Sequence, residues 1–140
     1  MILMTRKRND NHSTEFGLWL RNQKPIDSKK GFVASDLDYI WNNYKSDLWM
    51  LIEEKRYNSK MTYSQKQLFS ILDGIAKNDN KYKGFHLIVF EKTNPVDGKI
   101  KLDGKNINTL DLINFLKFKQ SNKWYKTYYP IRKEAKKYVS

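Results

Sequence analysis

The sequence predicts an α/β layered domain, and three observations carry that expectation. Segments with strand character alternate with segments of helical period along the chain, which is the pattern of a sheet covered by helices. The run Leu48-Trp49-Met50-Leu51-Ile52 is continuously apolar, as expected of a strand buried on both faces. Leu68, Ile71, Leu72 and Ile75 recur at helical spacing behind Thr62-x-x-Gln65, the signature of a capped helix.

Taken in order, residues 1–12 read as a loose basic arm, with Arg6-Lys7-Arg8 ahead of Asn9-Asp10-Asn11. Ser13 or Thr14 can cap a helix that places Glu15 in its first turn and Phe16, Trp19 and Leu20 on one apolar face. Lys24-Pro25 ends it. Residues 26–31 read as a loop closing on Gly31. Phe32-Val33-Ala34 offers a weak strand, and Asp38-Tyr39-Ile40-Trp41 opens a stronger one. A turn at 42–47 leads into the apolar run, which becomes fully charged at Glu53-Glu54-Lys55-Arg56. The capped helix is expected over 62–77, and Gly84 to Glu91 as the third strong strand. Asp97-Gly98 and Asp103-Gly104 flank a short hairpin arm, and a helix runs from about Asn108 to Lys119. One domain is therefore expected over 13–119, with 120–140 as its basic, aromatic extension, helical from Pro130 onward.

Composition narrows the partners. The chain has 140 residues, 27 Lys plus Arg against 15 Asp plus Glu, and a net charge of +12, which favours polyanions, nucleic acid first among them. Basic and aromatic residues interleave in Lys123-Trp124-Tyr125-Lys126, a pattern that serves base stacking or equally a packed segment with lysine stems turned outward. With no cysteine, disulfides and thiolate metal sites are excluded and a reducing, cytoplasmic setting is expected. His12 and His86 alone could supply nitrogen ligands, so structural zinc is not expected. No apolar run is long enough to span a membrane.

The abrupt change at Glu53-Glu54-Lys55 carries the chemistry. Charges at the end of a buried strand are costly unless solvated, paired or bound to metal. Strand alternation sends Glu53 and Lys55 to one face and Glu54 to the other. A neighbouring strand opening near Asp38 would bring a second carboxylate beside Glu53. Asp36 would face the same side as Asp38, which is preferred because it heads the apolar run. Two carboxylates suit a hard cation such as Mg²⁺, or Mn²⁺, which takes one or two carboxylates together with water and substrate phosphate. A surface ion-pair ladder is the bland reading of the same residues.

Asp38, a gap of fourteen residues, then Glu53-x-Lys55 on successive strands resembles the PD-(D/E)XK nuclease superfamily. The wording from Phe16-Gly17-x-Trp19-Leu20-Arg21 through Asp38-Tyr39-Ile40-Trp41 to Ile52-Glu53-Glu54-Lys55-Arg56 looks like small nuclease-like proteins carried by phages. The resemblance implies a restriction-endonuclease-like αβββαβ core over roughly 13–91, with a mixed central sheet flanked by helices. It implies Asp38 and Glu53 as metal ligands, Lys55 as the catalytic cation, Glu15 as a further acid from the preceding helix, and Gln65 as a polar residue after the lysine. Phe69 stands where the family often has a tyrosine, and no proline precedes Asp36 or Asp38.

The function expected is metal-dependent hydrolysis of phosphodiester bonds in nucleic acid, with DNA as the expected substrate. Arg56, Lys123, Lys126 and Arg132 are the expected phosphate contacts, and a domain this small leaves room for a homodimer. The alternatives are a non-catalytic nucleic-acid-binding protein with a nuclease-like fold, or a protein-interaction module.

Overall fold

Residues 14–127 are described by the structure, a computed structural model, and they fall into two units, 14–34 and 35–127. Among the described residues, no helix is long and apolar enough to cross a membrane.

In the smaller unit Thr14 caps α1 (Glu15–Arg21) by accepting the Gly17 N–H at 3.0 Å. Phe16 and Trp19, three residues apart on that helix, stack with ring centroids 5.9 Å apart. Two short 3-10 turns follow, Lys24–Ile26 and Ser28–Lys30, and the second closes on Gly31 in the left-handed region. The strand expected at Phe32-Val33-Ala34 does not form: residues 32–37 carry no regular structure. Phe32 and Val33 remain 57% and 49% exposed, so no burial or ladder offsets the entropy of ordering three residues.

The larger unit is a five-stranded mixed sheet in sequential order, β1 (Tyr39–Asn43), β2 (Leu48–Lys55), β3 (Tyr82–Phe90), β4 (Ile100–Leu102) and β5 (Lys105–Ile107). β2 and β3 are parallel and the other pairs antiparallel. The parallel pair requires a crossover, supplied by α2 (Tyr63–Ala76). Thr62 and Gln65 form the expected capping box, so this helix begins where the sequence places it. The hairpin turns on Asp103-Gly104, both at positive φ (52° and 87°), the conformation that tight two-residue hairpins require. α3 (Thr109–Leu116) opens on a second capping box, between Asn108 and Asp111.

Alternation along the strands divides the core between the two faces of the sheet. Leu51, Phe85 and Leu87 pack with Met61 and Phe69 on the α2 side. Met50, Ile52, Ile88, Phe90, Ile100 and Leu102 pack with Leu112, Phe115 and Tyr125 on the α3 side. Tyr125 lies in a 3-10 turn (Asn122–Tyr125) and stacks on Phe115 at 4.9 Å. The described aromatic residues of the extension are therefore packed rather than presented for base stacking. The expected helix from Pro130 and Arg132 lie outside the described residues.

His86, fully buried, has the Asp103 carboxylate at one ring nitrogen (2.6 Å) and the Lys83 carbonyl at the other (2.7 Å), so both ring nitrogens are engaged inside the fold. The backbone threads tightly here. Gly84 sits at φ +98°, and a Cβ on it would lie 2.5 Å from the Tyr125 carbonyl oxygen and 2.9 Å from His86 Nε2. Gly84→Ala is expected to cost roughly 2–4 kcal/mol, through overpacking against backbone and left-handed strain together. A urea titration would show the lowered midpoint, and an unchanged midpoint would contradict this packing.

Candidate active site

The pairing of β1 with β2 builds the site. Tyr39 opposes Ile52, so one further step places Asp38 opposite Glu53. The two residues interlock: the Asp38 N–H donates to Glu53 Oε1 at 3.3 Å, and Asp38 Oδ2 accepts the Glu54 N–H at 2.8 Å. Asp38, rather than Asp36, is thus the residue held against the end of β2. Glu53 and Lys55 share the α2 side of the sheet, as alternation requires, and Lys55 Nζ lies 3.4 Å from Glu53 Oε2.

Glu54 points the other way. It accepts from the Tyr39 hydroxyl at 3.1 Å and from Arg56 Nε at 3.0 Å. Its carboxylate raises the Tyr39 phenol, and its hydrogen bond raises the Arg56 guanidinium. Arg56, expected as a phosphate contact, is therefore paired on the face opposite Glu53.

Gln65 joins the group from the first turn of α2. Its Oε1 accepts from Lys55 Nζ at 3.0 Å and from the Thr62 N–H at 3.0 Å, while its Nε2 lies 3.4 Å from Glu53 Oε2. One side chain thus closes the helix cap and holds the lysine. The sequence explains Gln65 fully by the cap; the second bond depends on where the end of β2 meets the start of α2. Glu15 lies on α1 in the other unit, exposed in its first turn.

Glu53 is 3% exposed. Burial first, and then the neighbouring Asp38 charge, push its carboxyl up from 4.5 to about 7, while Lys55 pulls it down. With both carboxylates ionised, Asp38, Glu53 and Lys55 together carry one net negative charge in a partly desolvated setting. Two hard oxygen donors with an uncompensated charge match the needs of Mg²⁺ or Mn²⁺. No group of three or more His, Asp or Glu side chains converges among the described residues, so a cation here would draw its other ligands from water or from a phosphate.

The other expected contacts lie elsewhere. Lys123 and Lys126 line a cleft of about 370 Å³ with Leu102 and Trp124, on the α3 side, away from Glu53. Asp103 and Asp111 line the same cleft. The sequence does not reveal which lysines share a face with the carboxylates, because that depends on the strand register. Leu87 and Val89, which pair with Glu53 and Lys55, floor a separate cleft of about 510 Å³ lined by Lys60, Lys66 and Lys101. The chain matches no protein-family model, no curated protein and no solved structure.

Proposed function

We propose that the protein is a metal-dependent nuclease acting on DNA, with its centre at Asp38, Glu53 and Lys55. The observation that carries this reading is Glu53. A structural ion pair gains little from a carboxylate held 3% exposed beside a second carboxylate, because such burial favours the protonated acid. A site built to receive a cation accepts that cost and recovers it on binding.

Asp38 and Glu53 would hold Mg²⁺ or Mn²⁺. When bound, the cation supplies positive charge that polarises the phosphoryl group and acidifies water. This chain's residues do the rest. Lys55, fixed by Gln65, presents an ammonium to the charge that grows on the phosphoryl oxygens as water attacks phosphorus and the P–O ester bond breaks. Gln65 holds that ammonium in place through the rigid first turn of α2. The +12 chain draws the polyanion in. Glu15, as a further acid of this centre, belongs to the same reading.

Labelled DNA incubated with Mg²⁺, Mn²⁺ or EDTA tests the reading. Cutting is expected with either metal and none in EDTA. DNA that is bound but left whole under every metal would overturn the catalytic reading in favour of a nucleic-acid-binding module with this fold.

A further inference from the structure

We infer that the lysine cleft beside the carboxylates is the track for the DNA backbone leading away from the scissile phosphate. The inference rests on the nuclease reading for its direction along the strand, although its binding test does not.

The register places the cleft. Lys55 on β2 pairs with Val89 on β3, and Val89 pairs with Lys101 on β4, so the three share one row on one face. Adjacent strands lie about 4.8 Å apart, which puts Lys101 roughly 10 Å from Lys55, the rise of about three nucleotides. Lys101 stands exposed between buried Ile100 and Leu102 and so points away from the α3-side core toward this cleft. Lys60, exposed in the loop between β2 and α2, and Lys66, on the first turns of α2, form the opposite wall. Met61, Leu87 and Val89 make an apolar floor.

Charge selects the occupant. No carboxylate lines this cleft among the described residues, whereas the cleft holding Lys123 and Lys126 contains Asp103 and Asp111. Three ammonium groups around an apolar floor match successive phosphates with sugar faces between them, and each lysine neutralising a phosphate releases counterions. A strand lying here would run from Lys101 across Val89 to Lys55 and deliver its phosphate to Asp38 and Glu53.

The test is binding of labelled duplex DNA by the full chain in EDTA across a salt series. It compares wild type, Lys60→Ala/Lys101→Ala and Lys123→Ala/Lys126→Ala. The two double variants remove equal charge, so a purely global effect lowers both alike. The cleft predicts that the first variant loses affinity roughly tenfold and that its salt slope falls by about 2, with the second variant close to wild type. Equal losses in the two variants, or a larger loss in the second, would overturn it. The two readings fail separately. A wild type that binds through Lys60 and Lys101 but cuts nothing keeps the cleft and removes the nuclease. A wild type that cuts, with both variants alike in binding, keeps the nuclease and removes the cleft.

Discussion

Lys55→Ala is expected to lower metal-dependent cleavage by on the order of a hundred- to a thousandfold, the usual loss when a fixed group facing developing charge is removed. Two effects add. The ammonium that Gln65 holds at 3.0 Å is gone, so the charge growing on phosphate loses that protein cation. Glu53 also loses the ammonium paired with it, while the Asp38 charge that raises its carboxyl remains. Glu53 then binds its proton more tightly and offers a weaker ligand at neutral pH. The variant's residual activity should therefore rise at higher pH than the wild type's. Lys55→Arg keeps the charge but not the compact ammonium that fits between Gln65 and Glu53, and should restore little. Single-turnover cleavage of duplex DNA across pH reads both effects. Near wild-type rates in Lys55→Ala would remove Lys55 from the centre, and a uniform loss at every pH would leave only the first effect.

What made this site legible is that its parts are set by local rules. The shift from Ile52 to Glu53 marks where β2 turns from apolar to charged, and strand alternation alone puts Glu53 and Lys55 on one face. Thr62 and Gln65 fix where α2 begins because a capping box needs only three residues' separation. The features that were not legible depend on distant partners. Phe32-Val33-Ala34 has strand formers yet stays without regular structure, because strand propensity in three residues does not supply a ladder partner. Lys123 and Lys126 flank aromatic residues, and the pattern is the same whether those residues stack on bases or pack in a core; Phe115 against Tyr125 decides for the core. Lys101 is one lysine among many until the register of β3 with β4 sets it in line with Lys55. Gln65's bond to Lys55 likewise joins two elements whose relative height no local pattern encodes.

Glu53→Gln should separate stability from activity, and the sign follows from linkage. The folded protein holds the Glu53 carboxyl at about 7, against 4.5 for the free group. Below about 4.5 the acid is protonated in both the folded and unfolded chain, and glutamine changes little. As pH rises from there, the unfolded chain ionises first, so the wild type loses stability until the folded carboxyl also ionises near 7. Above that point the variant should be the more stable by roughly 3 kcal/mol, while cleavage is lost with the ligand. Saturating Mg²⁺ should reverse the order only where Glu53 is ionised. It should raise the wild type's melting temperature above neutral pH, have little effect in acid, and leave the variant unmoved. Melting curves across pH, with and without Mg²⁺, read all of this together. A variant less stable than wild type at alkaline pH would mean that the Glu53 carboxylate is a net structural asset. In that case its burial could no longer be taken as the mark of a site waiting for a cation.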